Sequence, residues 1–212
     1  MSVAVKEVAK FETDEQVIKR IKTRFDILHD MTKAAIKNDV RAMIVTGPPG
    51  VGKSYGVEAE LEKASLFDRI GGNGLKYEVV KGAMTPVGLY ATLYKHSDKN
   101  HVLVFDDCDS VLMDDLSLNI LKAALDSGKK RTIHWNADSS KLRSEGIPSK
   151  FDFHGSVIFI TNIKFENVRS KKLKDHLEAL QSRCHYIDLT LDTMRDKLLR
   201  IKQIFQEGEL FQ

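Results

Sequence analysis

The chain has 212 residues, of which 42% are hydrophobic and 30% charged, and 33 basic against 30 acidic side chains leave a formal net charge of +3. That balance fits one large globular domain with its own core, and the charge is too mild to argue for nucleic acid by itself. Cys108 and Cys184 are far apart and form no C-x-x-C pattern, so neither a disulfide framework nor a zinc site is indicated, and a reducing cytoplasm is the plain reading. The first residues turn acidic before a secretory core could form, and no apolar run reaches the ~18 residues of a membrane span. No membrane partner is expected.

In chain order, an arm over 1–14 comes first. Val17, Ile21, Phe25, Leu28 and Met31 recur at helical spacing and predict a helix over 14–37. A short apolar strand over 41–46 runs into GPPGVGKS, and a helix over about 53–65 leaves it. The glycine cluster at 71–74 is a turn. A strand over 75–81 follows, then a helix over 85–94 with Pro86 at its favoured early position. The sequence HVLVF predicts a buried strand over 101–105, and a helix is expected over 116–125. Residues 128–155 read as irregular and polar, except that 131–135 alternates like one arm of a hairpin. A strand over 157–161, a helix over 171–180, a strand over 184–189 and a helix over 193–205 complete the chain. Buried strands alternating with helices predict an α/β fold, three layers about a mainly parallel sheet. Such sheets bind ligands beyond the carboxyl ends of their strands. The glycine loop, the acids after Phe105 and Asn162 all fall there.

Gly47-x-x-x-x-Gly52-Lys53-Ser54 is a P-loop pattern. Backbone N–H groups in such a loop form an anion nest at the start of the next helix. The expected nucleotide contacts are Gly47, Pro48, Pro49, Gly50, Val51, Gly52, Lys53, Ser54 and Tyr55. Lys53 would meet the β- and γ-phosphates, and Ser54 would ligate Mg²⁺. Asp106, at the end of a buried strand, is the expected second-shell partner of that metal; Asp107 follows where a base could polarise water. Asn162 could orient that water, and Arg183 reads either as a helix-capping surface residue or as an arginine finger. The seven histidines make no pair spaced for a metal.

Together these motifs resemble the AAA+ ATPase family over about residues 17–205. GPPGVGKS is similar to its Walker A, HVLVFDD to its Walker B, VIFITN to the strand ending in sensor 1, and LQSRC to the Ser-Arg-Cys element of clamp-loader subunits. The resemblance implies a P-loop NTPase core over 15–190 and a short helical lid over 191–212, incomplete. It implies ATP or ADP and Mg²⁺ as ligands and a homo-oligomeric ring, a hexamer. In that ring Arg183 would act on the neighbour's nucleotide. Two features depart from the family. The second acid is Asp107 rather than glutamate, which implies slow hydrolysis, and neither Arg195 nor Arg200 matches the sensor 2 position.

Residues 128–155 occupy the interval where MoxR-like and enhancer-binding branches carry a pore hairpin. Lys129, Lys130, Arg131, Lys141, Arg143 and Lys150 make the segment basic, so 129–150 is the expected DNA contact. Trp135 either stacks on a base or packs on the domain. The expected role is an ATPase of DNA metabolism, in replication, recombination or packaging support, phage-like and cytoplasmic in a bacterium or infected host. The alternatives are a MoxR-like ATPase that remodels a protein partner and a nucleotide-dependent assembly switch that does not hydrolyse.

Overall fold

The computed structural model describes residues 12–71 and 74–206. Most of the expected arm, part of the glycine turn and the end of the expected lid segment therefore lie outside the described residues. Helix α1 (Asp14–Ile36) opens on a capping box in which Thr13 and Gln16 satisfy each other's end groups. Strand β1 (Ala42–Thr46) leads through the glycine loop to α2 (Lys53–Gly71). Then come β2 (Lys76–Lys81), α3 (Pro86–Lys95), capped by Thr85, and β3 (His101–Asp106). Two helices, α4 (Ser110–Met113) and α5 (Asp115–Ala124), precede β4 (Thr132–His134), α6 (Ser140–Ser144) and β5 (Lys150–Asp152). Strand β6 (Ser156–Thr161), a 3₁₀ turn at Phe165–Asn167, α7 (Lys171–Gln181), β7 (His185–Asp188) and α8 (Met194–Gln206) close the described chain.

The five long strands form one parallel sheet in the order β2-β3-β6-β1-β7. Its three central strands are buried along their whole length, which is why they read as unbroken apolar runs. Alternate residues of each strand face opposite layers. Met43, Val45, Val104, Ile158 and Ile160 pack with Val17, Ile21, Phe25 and Leu28 of α1 and with Val57 and Leu61 of α2. Ile44, Leu103, Phe105, Val157 and Phe159 pack with Leu89 and Leu93 of α3, Leu118 and Leu121 of α5, and Leu177 and Leu180 of α7. The α/β sandwich expected from the sequence is borne out, with helices on both faces.

The segment 128–155 is more ordered than its polarity suggests. Strands β4 and β5 pair antiparallel, Ile133 opposite Phe151, and α6 lies between them in sequence. The hairpin is folded back onto its own domain. Trp135 and Phe151 both meet the ring of Tyr90, at 5.6 and 5.1 Å between centroids, and Phe151 also meets Tyr94 at 5.3 Å. Of the two readings of Trp135, packing is the observed one. Helix α2 also runs six residues beyond its expected end, because nothing before the glycines interrupts it. Its last turns carry exposed Leu66, Phe67 and Ile70, so no buried stripe marked them in sequence.

Helix α8 reverses the usual amphipathic rule. Asp196, Leu199, Arg200 and Gln203 are buried, whereas Met194, Leu198, Ile201 and Phe205 are exposed.

Candidate functional site

The carboxyl ends of β1, β6 and β3 lie side by side, so the sheet itself gathers the glycine loop, Asn162 and the two aspartates, each of which sits just past or at the end of one of these strands. The loop needs its glycines. Gly50 and Gly52 take φ of 76° and 96°, left-handed values that a side chain resists. A Cβ on Gly47 would sit 3.1 Å from the Leu189 backbone. The loop then enters α2 beside a cleft of about 350 Å³, lined by Gly52, Ser54, Tyr55, Asp106, Asp107 and Asn162 among others.

Lys53 is 6% exposed and all three of its ammonium protons have acceptors. It donates to Gly47 O at 2.8 Å, Pro48 O at 2.9 Å and Asn162 Oδ1 at 2.8 Å. Burial pushes its pKa below the ordinary lysine value, while Asp107, Asp106 and Asp109 pull the other way. The amide of Asn162 passes the connection on, its Nδ2 donating to Asp107 Oδ1 at 2.9 Å. Asp107 is in the left-handed region, φ 50°, and its own N–H bonds Ile160 O at 3.0 Å. That turn aims its carboxylate across at β6. Burial, then Asp106 and Asp109, raise its pKa above the ordinary aspartate value.

The Ser54 hydroxyl donates to Asp106 Oδ1 at 2.9 Å. A hydroxyl and a carboxylate beside a phosphate nest are the hard oxygen donors Mg²⁺ takes. No group of three or more His, Cys, Asp or Glu that could hold a metal occurs among the described residues. A P-loop metal does not require one, because it keeps waters and phosphate oxygens as ligands. The other Asp106 oxygen lies 3.3 Å from Lys81 Nζ, which also pairs with Glu58 at 2.9 Å. Behind the acids, Thr161 donates to Asp109 Oδ1 at 2.7 Å and accepts from Ile163 N at 3.0 Å, which secures the exit of β6.

Lys53, Ser54, Asp106, Asp107 and Asn162 are thus brought together. Arg183 is not. Strand β7 runs parallel to β1 with His185 opposite Met43 and Asp188 opposite Thr46. Arg183, two residues before β7, therefore lies at the end of the sheet away from the loop. It donates to Ala179 O, and its Nε is buried without a partner among the described residues.

Sequence reasoning gave no role to Arg200. Its guanidinium lies 3.7 Å over the Phe25 ring, and its Nε donates to Val51 O at 3.4 Å, inside the glycine loop. A Cβ on Gly52 would come within 3.5 Å of it. The signal available was Asp196, Arg200 and Gln203, polar residues at helical spacing on α8. In sequence Lys81 closes a strand and opens the stretch Lys81-Gly82-Ala83-Met84, with nothing to pair it with Asp106.

Within the described residues no helix is long and apolar enough to cross a membrane. No known protein-family model matches the chain. It is 35% identical over 212 residues to an uncharacterized 36.7 kDa protein from the nrdC-mobD intergenic region of Enterobacteria phage T4. The alignment covers 99% of this chain and 63% of that protein, so the chain spans less than two thirds of its relative. The chain is similar to a phage protein and carries a parallel sheet, in the order β2-β3-β6-β1-β7, compatible with a P-loop fold.

Proposed function

We propose that the protein is a Mg²⁺-dependent ATPase of the AAA+ type. One observation carries the reading: Ser54–Asp106 and Lys53–Asn162–Asp107 form hydrogen-bonded sets at the mouth of a glycine-loop nest. The loop N–H groups bind the phosphates, and Lys53 neutralises their charge. Ser54 and Asp106 would hold the metal. Bound Mg²⁺ supplies Lewis-acid neutralisation of the phosphate oxygens. Asp107 accepts the proton of the attacking water, and Asn162 fixes the direction of the Asp107 carboxylate. The position of Arg183 at the far end of its own sheet favours action on a neighbouring copy, hence a ring. The work done with ATP is assigned to DNA on the exposed Lys129, Lys130, Lys141, Arg143 and Lys150 of the basic segment, without Arg131, which is buried against Ala124 O and Phe153, and on the similarity to a phage protein. DNA-stimulated turnover with steep salt dependence supports that role, whereas stimulation only by a protein partner replaces it with a MoxR-like one.

A second reading, a nucleotide switch without turnover, is favoured by Asp107 itself, one methylene shorter than glutamate and held by Asn162. Phosphate release from the wild type and from Lys53→Ala separates the two. The ATPase reading expects release from the wild type and a loss of about a hundredfold or more in the variant. Equal release from both proteins overturns it, and no release from either favours the switch.

A further inference from the structure

Lys81 is the last residue of β2, directly opposite Asp106 of β3 in the parallel register. The sheet therefore fixes the pair, and the chain turns away immediately afterwards at Gly82, φ 89°. The ammonium lies 3.3 Å from Asp106 Oδ2 and 2.9 Å from Glu58 Oε1. Glu58 is one turn beyond Ser54 on α2, so the lysine bridges the helix that starts at the phosphate nest and the acid that faces it. The two oxygens of Asp106 have different partners: Oδ1 receives the Ser54 hydroxyl and Oδ2 receives Lys81.

We propose that Lys81 competes with Mg²⁺ for the charge of Asp106 and so sets how much metal the site requires. The inference rests on the reading of Asp106 as the metal's acid. A divalent cation arriving beside that carboxylate is repelled by an ammonium already there. Glu58 offers the ammonium a second place, so the cost is lowered by a shift of Lys81 along the bridge and not removed. Lys81 is 59% exposed, which screens the effect and makes it dependent on salt. An ordinary surface ion pair would make no difference to the metal.

The test is the Mg²⁺ midpoint for uptake of ADP at fixed ADP, followed by calorimetry at low salt. The proteins are the wild type, Lys81→Met, Glu58→Gln and the double variant. Lys81→Met is expected to lower the midpoint by about three- to tenfold, an advantage that shrinks as salt rises. Glu58→Gln commits Lys81 to Asp106 and raises the midpoint, and that rise is smaller when Lys81 is already methionine. Should Lys81→Met fail to fold, Lys81→Gln takes its place in the same cycle, with the same fall in midpoint expected and the same unchanged or higher midpoint overturning the inference. An unchanged or higher midpoint in Lys81→Met overturns the inference and leaves Asp106 as the metal's acid. Weaker ADP uptake by Lys81→Met in excess chelator also overturns it, by making Lys81 a phosphate ligand. If the wild type takes up no ADP at any Mg²⁺ concentration, the reading of Asp106 fails and this inference fails with it.

Discussion

The two ends of the sheet solve opposite problems with similar residues. At the end where the strands begin, arginines are held by backbone carbonyls. Arg41 donates to Asp126 O, Ser127 O and Gly128 O at 3.1–3.2 Å, and buried Arg131 donates to Ala124 O and lies 5.2 Å over the Phe153 ring. Burial brings the Arg131 pKa down to about 10. Aromatic rings from α3 and the hairpin fill the remaining space. At the other end, a buried lysine, two aspartates and an amide converge on a cleft, and Asp107 takes a left-handed backbone to join them. Packing governs the first end, and charge held against its preference governs the second. The lesson is that stability and binding should separate by pole when residues are changed.

The largest effect is expected from Phe153→Ala at the packed end. Phe153 is fully buried beneath Arg131, so its loss should cost about 3–5 kcal/mol in denaturant unfolding. Nucleotide affinity, measured where the variant is still folded, should stay within about twofold; a parallel collapse of affinity would show that the poles are not independent. Arg200→Ala should cost less, about 1–3 kcal/mol, through Val51 O and the Phe25 face. Because it touches the loop, it should also weaken nucleotide uptake, and full affinity in a folded variant would count against a positioning role.

Asp107→Asn sharpens the contrast from the other side. The raised pKa of Asp107 means that the native state holds its proton more tightly than the unfolded chain does. Its stabilising contribution is therefore present at acid pH and lost as pH rises through the folded value. At neutral pH the variant should melt no lower than the wild type and have lost hydrolysis. In the wild type, hydrolysis should fall as pH drops through that same raised value. A clear loss of stability at pH 7 would contradict the assignment. The smallest effect is expected for Arg183→Ala on nucleotide binding, with affinity unchanged within about twofold because the residue lies at the other end. Its loss should appear in phosphate release, and mixing it with Lys53→Ala should restore part of the activity. Absence of rescue, with both variants assembling, would argue for action within one subunit.

Much of the glycine-loop end was legible in the sequence, for a physical reason. Gly50, Gly52 and the strand ends at Thr46, Asp106 and Thr161 are specified by local backbone demands and by unbroken apolar runs. The packed end was less legible. The hairpin depends on Trp135 and Phe151 meeting Tyr90 across more than forty positions of chain, a contact that periodicity does not encode. Arg200 and Lys81 were missed for a related reason: each acts through a partner on a different element, Phe25 and Val51 for one, Glu58 and Asp106 for the other. In α8 three of the four buried residues are polar, Asp196, Arg200 and Gln203 beside Leu199, an arrangement that the usual amphipathic pattern does not encode.

Calorimetric titration of folded protein with ATP and ADP, in the presence and absence of Mg²⁺, tests the central claim most directly. Saturable uptake that Mg²⁺ strengthens, and that Lys53→Ala and Asp106→Asn weaken in their respective ways, is the predicted result. Folded wild-type protein that takes up neither nucleotide with Mg²⁺ present would contradict it.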